Sequence, residues 1–167
     1  MIAARLHAYH DPLKVEEIPE PEITGPHDVI VRIGGAGLCR TDLHVQEGQW
    51  AEKSGVQLPY VLGHENAGWV HEIGSAVTNV AVGDTVILHP LVTCGLCRAC
   101  RAGDDVHCTN NAFPGISTDG GFAELLKTTA RSDGSTTMTS AGVIAFRHWM
   151  PMCPSPPAPI TTAREPG

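Results

Sequence analysis

The chain has 167 residues, enough for one domain of ordinary size, whose folding buries roughly 70% of the extended chain's surface. Apolar residues at 42% and charged residues at 17% describe a globular protein and exclude collagen-like, coiled-coil and wholly disordered chains. Eighteen acids against 11 bases leave a formal charge of −7, the wrong sign for phosphate backbones, and no Lys/Arg cluster offsets it, so nucleic acid is excluded as a partner. No run reaches the about 18 apolar residues of a membrane span, and the opening MIAARLHAYHDP lacks the apolar stretch of a signal peptide; the expectation is a cytoplasmic protein without a membrane partner.

Short apolar or alternating runs separated by Gly, Pro and Asp predict strands at 3–9, 13–18, 28–33, 68–73, 85–88 and 121–127. Pro19, Pro21 and Pro26 mark a loop before the third, and Gly74 and Gly83-Asp84 mark later turns. One or two helical turns are expected from Thr41 to Gly48, because Leu43, Val45 and Trp50 do not keep strand alternation and Gly48 is a natural stop. Many short strands at this spacing suggest a mainly β barrel or sandwich.

The character changes near residue 132. The last 36 residues hold six of the 13 prolines, and Pro154, Pro156, Pro157 and Pro159 favour extended, solvated chain over helix or central strand. Two units are therefore expected: a β domain over 1–131, and an atypical Pro/Ser/Thr-rich tail over 132–167 that closes no core and reads as disordered or out-of-frame sequence. Within the tail only 143–149 has the composition to pack.

Six cysteines in a chain without an export signal point to metal or catalysis before disulfides. Cys94, Cys97, Cys100 and Cys108 form C-x2-C-x2-C-x7-C, a spacing that lets four thiolates at about 2.3 Å complete a tetrahedral Zn²⁺ shell. Such a shell leaves no open position, so this zinc would organise a lobe and catalyse nothing; buried or disulfide-paired cysteines are the alternative. Arg98 and Arg101 between the ligands offset the charge of a four-thiolate site.

Cys39, in Cys39-Arg40-Thr41-Asp42-Leu43-His44, and His64, in Gly63-His64-Glu65-Asn66-Ala67-Gly68, are candidates for a second centre. A Cys and a distant His are more often core residues, but polar, carboxylate-bearing neighbours and flanking glycines suit a catalytic zinc. Cys39 and His64 would be ligands, Asp42 the acceptor for the other imidazole N–H, and Glu65 a neighbour of the metal. The alternative for Thr41 and His44 is a helix cap and a solvated helix face.

CRTDLH, GHENAG, VGDTV at 82–86, the four-cysteine loop and GGFAEL at 120–125 together resemble the catalytic domain of the zinc-dependent alcohol dehydrogenases of the medium-chain dehydrogenase/reductase family, over residues 1 to about 131. The resemblance implies a GroES-like, partly open β-barrel with short helices and a zinc-binding lobe. It implies an enzyme that oxidises a small-molecule alcohol to an aldehyde or ketone by hydride transfer to NAD or NADP. Carried onto matching positions, Cys39 and His64 bind catalytic zinc and Glu65 is an intermittent ligand. Thr41 takes the substrate proton and passes it toward His44, Arg40 meets the cofactor pyrophosphate, and Trp50 and Pro90 line the alcohol pocket.

A dinucleotide-binding Rossmann domain needs G-x-G-x-x-G between strand and helix, and the chain shows none. Gly35-Ala-Gly37 has Arg40 where the third glycine should fall, so these glycines read as flexibility at a strand exit. The family's third catalytic ligand lies beyond the barrel, and Cys153, in MPMCPSPPAP, reads as a free thiol. The expectation is therefore a truncated dehydrogenase chain, inactive alone, with one tightly held zinc and an incomplete second site, and with a reading frame shifted or cut near residue 132. The alternative is a non-catalytic zinc-binding β-domain.

Overall fold

The computed structural model describes residues 1–130 together with the two-residue strand Met138–Thr139. In chain order the elements are β1 (Ile2–Leu6), β2 (Lys14–Glu17), β3 (Asp28–Gly37), α1 (Arg40–Gln46), α2 (Ala51–Ser54), β4 (Tyr60–Val61), β5 (Glu65–Ile73), β6 (Thr85–Leu88), α3 (Arg98–Arg101), a 3-10 turn (Asp105–His107), β7 (Leu125–Thr129) and β8 (Met138–Thr139). They form a three-stranded sheet in the order β2-β1-β4 and a five-stranded sheet in the order β7-β3-β5-β6-β8. All the pairings are antiparallel, and an isolated bridge from Ala3 to Ala123 joins the two layers without closing a barrel.

Burial explains why the strands read as they do. β3 lies between β5 and β7, and its Val29, Ile30 and Val31 are all buried, which is why that run is continuous rather than alternating. Val29 and Val31 pack with Val70, Val77, Val80, Val86, Leu88, Leu126 and Ala130 in the main core. A second cluster of Leu6, Val45, Tyr60 and Leu62 lies beneath α1 and anchors the helix that carries the candidate site. Burying each such side chain is worth about 1.5–3 kcal/mol.

The strand at 85–88 matches its expected bounds, and the helix expected from Thr41 to Gly48 runs from Arg40 to Gln46, with Gly48 just beyond at φ +76°. The glycines after Ile33 differ from expectation: β3 continues through Gly34, Gly35, Ala36 and Gly37, paired to β5, with a register shift between Ile33 and Gly35. Gly34 and Gly37 give room rather than a flexible exit, for Trp69 and Glu65 of β5, whereas a Cβ at Gly35 would meet no described residue within 4 Å. Gly37 faces Glu65 in register, and a Cβ there would come within 2.5 Å of Glu65 Oε2. The strand expected at 121–127 begins later, at Leu125, because Phe122 and Gly121 are bonded to the Leu62–Gly63 segment instead. Met138 and Thr139, placed by sequence in an unstructured tail, pair with Leu88 and Ile87 of β6. The other expectations for the tail, Cys153 and 143–149 among them, lie outside the described residues. No helix among the described residues is long and apolar enough to cross a membrane.

Candidate metal centres

The four cysteines of the 94–108 loop converge: one sulfur from each lies within 4.8 Å of the others. Cys97 and Cys100 Sγ are 3.5 Å apart, as are Cys94 and Cys108 Sγ. A disulfide needs about 2.05 Å, whereas a tetrahedron with metal–sulfur bonds of about 2.3 Å has edges of about 3.8 Å. The four thiols are free, and their spacing fits tetrahedral zinc.

Local chain geometry produces this convergence. Cys97 is the extended N-cap of α3, and its sulfur accepts from the Cys100 N–H at 3.5 Å. Cys108 Sγ accepts from the N–H groups of Cys94 at 3.2 Å and Asn110 at 3.4 Å. The N–H groups of Cys100 and Thr109, aimed at Cys97, bring its pKa down to about 6, while burial chiefly pushes Cys100 up to about 11. The Cys94 N–H also holds Cys108 below the ordinary thiol range. Arg98 and Arg101 lie exposed on α3, and Leu96 and Val106 are exposed on the same lobe.

The second centre draws on three separate chain positions. Cys39 is the extended N-cap of α1, while His64 and Glu65 stand at the entrance to β5. Their ligand atoms lie within 4.8 Å of one another, a Cys/His/carboxylate set of the kind that holds zinc with an open position. His64 is buried, Cys39 half-buried and Glu65 exposed, so the cluster opens to the surface on its carboxylate side.

Asp42, 2% exposed, ties the centre together. Its Oδ2 accepts from the Cys39 N–H at 2.9 Å, and its Oδ1 accepts from the Gly63 N–H at 3.2 Å. His64 Nδ1 stands 3.3 Å from Asp42 Oδ1, outside hydrogen-bond geometry. With Nδ1 toward Asp42, Nε2 is the ring nitrogen left for a ligand role. Gly63 has φ +96°, and a Cβ there would meet the Phe122 ring at 2.5 Å, so only glycine lets the chain turn here against that ring.

The other predicted residues group unevenly. Thr41 Oγ1 is 3.7 Å from Cys39 Sγ and so borders the centre. Arg40 Nε donates to His44 Nε2 at 3.4 Å, and His44 Nδ1 is 3.5 Å from Glu47 Oε2, which makes Arg40 and His44 one pair on the surface of α1. Trp50 is 37% exposed at the start of α2, and Pro90 is half-buried after β6. A half-open cavity of about 390 Å³ beside β7, lined partly by Ile18, Pro19 and Pro21, includes neither of them and none of Cys39, His64 or Glu65.

Two contributors escaped sequence reasoning. Phe113, five residues after Cys108, stacks edge-on against the His64 ring with centroids 5.7 Å apart. Asn66 is buried and hydrogen-bonded to the carbonyl of Gly63. Asn66 carried one signal, a polar amide at the start of an apolar strand; Phe113 carried none.

The family model for the alcohol dehydrogenase GroES-like domain matches residues 25–134. D-arabinose 1-dehydrogenase (NADP(+)) of Saccharolobus solfataricus is 44% identical over 124 residues, 74% of this chain and 35% of that protein. L-threonine 3-dehydrogenase of Rhizobium etli is 42% identical over 115 residues, 68% of this chain and 33% of that protein. The crystal structure of the alcohol dehydrogenase from Aeropyrum pernix superposes with a TM-score of 0.75 and 53% identity, covering 77% of this chain and 38% of that one. The chain thus spans little more than a third of the proteins it matches. By its sheets, its site residues and these matches, the chain belongs to the GroES-like domain family of the zinc-type medium-chain alcohol dehydrogenases.

Proposed function

We propose that the chain is the zinc-bearing catalytic part of an NAD(P)-dependent alcohol dehydrogenase, with Cys94, Cys97, Cys100 and Cys108 holding a structural zinc and Cys39, His64 and Glu65 a catalytic one. The observation that carries this reading is the convergence of Cys39, His64 and Glu65, from two separate elements, above one buried carboxylate, Asp42. Zinc at the second centre supplies Lewis-acid polarisation of an alcohol oxygen and lowers its pKa.

The chain's own residues supply position and proton handling. Asp42 orients Cys39 and the Leu62–Gly63 peptide, just before His64, through their N–H groups. Thr41, beside Cys39, both donates and accepts, so it takes the hydroxyl proton of an alcohol, and His44, one turn along α1, carries it toward solvent. Exposed Arg40 pairs with His44 through one nitrogen and keeps its remaining donors for a cofactor phosphate. Trp50 and Pro90 are assigned to the wall of the alcohol pocket. A nicotinamide cofactor would supply the hydride acceptor, and its site is assigned to the part of the relatives that this chain does not span. The substrate is a small alcohol or the corresponding carbonyl compound.

Site-by-site metal analysis tests the assignment. His64→Ala should lose the weaker zinc equivalent and keep the tighter one, and Cys97→Ser should do the reverse. Loss of the same equivalent in both variants would defeat a two-centre chain.

A further inference from the structure

The residue before the ligand His64 is the one least able to hold itself in place. Glycine has the greatest backbone freedom, and Gly63 adopts φ +96°, so the direction in which His64 leaves the loop depends on contacts from outside. Its N–H is held by Asp42 Oδ1 at 3.2 Å. Its carbonyl oxygen accepts from the Gly121 N–H at 2.8 Å and from Asn66 Nδ2 at 3.1 Å.

Asn66 is an expensive choice for this work. It sits on the inward face of β5 with Gly68 and Val70, 3% exposed, where a β-branched apolar side chain would pack without cost. Its Oδ1 is buried and accepts no hydrogen bond. Space for that oxygen exists because residue 121 is glycine: a Cβ there would run into Asn66 Oδ1. A buried amide that keeps one bond and leaves its oxygen unpaired carries an uncompensated desolvation cost. The one bond it does make lands on the peptide that aims His64.

We propose that Asn66 is a positioning residue for the second metal centre, acting through the Gly63 carbonyl to set the direction of His64, opposite the hold that Asp42 exerts on the Gly63 N–H. The inference rests on the reading of Cys39, His64 and Glu65 as a metal centre. It adds that Gly63 is held by one anionic contact on its N–H, from Asp42, and by two neutral ones on its carbonyl, from Asn66 and from the Gly121 N–H. The Asn66 contact adds no charge beside the metal, so its removal alters ligand geometry without altering the net charge of the site.

The test is a cobalt(II) titration of the 167-residue chain as wild type, Asn66→Ala and Asn66→Leu, followed by the visible ligand-field spectrum and the near-ultraviolet thiolate charge-transfer band. Asn66→Leu keeps the approximate shape of the side chain and removes the amide without adding a charge. The wild type should take up two equivalents, the four-thiolate lobe first. Both variants should fill the lobe as the wild type does and bind the second equivalent with affinity lowered about tenfold or more, with a shifted ligand-field band. A second equivalent with wild-type affinity and spectrum in both variants would overturn the role of Asn66 and leave the metal centre standing. A wild type that fills only the lobe would overturn the metal centre, and this inference with it. Variants that also lose the lobe equivalent would show that Asn66 serves the whole fold, which overturns the proposal.

Discussion

In the four-cysteine lobe every candidate ligand comes from one loop of 15 residues, and the backbone N–H groups that approach the sulfurs belong to that loop or to the two residues just after it. At the Cys39, His64 and Glu65 centre, the first ligand stands 25 positions before the second, and the supports arrive from Asp42, Asn66, Phe113 and Gly121. Local ligation needs little from the rest of the fold, but four thiols drawn together gain little without an ion between them. The distributed centre is the opposite case: hydrogen bonds and packing from several elements hold its residues in place. Metal should therefore matter most to the shape of the lobe, and fold should matter most to the second centre.

The largest effect that sharpens this contrast is expected at the lobe. Cys97→Ser, or chelation of the lobe metal, should remove on the order of 10 kcal/mol of apparent stabilisation and unfold the lobe first, as read by calorimetry and by protease cleavage between 94 and 108. His64→Ala, which removes a buried ring packed against Phe113, should cost only about 1–3 kcal/mol and leave the lobe folded. Comparable losses from both would break the contrast.

Asp42→Ala should come next. It strips partners from the buried Gly63 N–H and from the Cys39 N–H, and should cost about 1–3 kcal/mol in urea melts while the lobe keeps its metal. Gly63→Ala should cost a similar about 1–3 kcal/mol, since the added Cβ meets Phe122 at 2.5 Å in a left-handed conformation. Neither change should disturb the lobe's thiolate bands. An effect on those bands would mean that the two regions are one cooperative unit.

The smallest effect concerns the lobe's surface. Asp104 Oδ1 lies 2.8 Å from His107 Nδ1, and that hydrogen bond, more than simple charge attraction, raises the His107 pKa. A raised histidine stabilises the fold fully below its ordinary value near 6.5, and the contribution fades as pH climbs through the raised value. NMR titration should show His107 falling back toward 6.5 in Asp104→Asn. An unmoved titration would remove the pairing from the account.

The same contrast governs how much was legible beforehand. Cysteine spacing is a local pattern, so the lobe could be read from C-x2-C-x2-C-x7-C before any fold was known. Cys39, Asp42 and His64 were legible through their motifs, and Asp42 was expected at His64. Its carboxylate accepts instead from the Cys39 N–H and the Gly63 N–H, and the latter bond appears only when α1 and the segment before β5 come together. Phe113 was not legible because an aromatic in a loop carries no mark of the ring it will meet. That Gly34 and Gly37 make room for Trp69 and Glu65 of β5 was not legible, because sequence alone does not show which strand lies opposite. Short elements such as β4 and α3 fall below the length at which periodicity speaks.

Zinc stoichiometry followed through stepwise chelation tests the two-centre account most directly. The account predicts two equivalents in the zinc-loaded 167-residue chain, one lost to a mild chelator without change in the circular dichroism spectrum and one retained until the lobe unfolds. Two equivalents that both resist mild chelation, or a chain that never binds more than one, would contradict it.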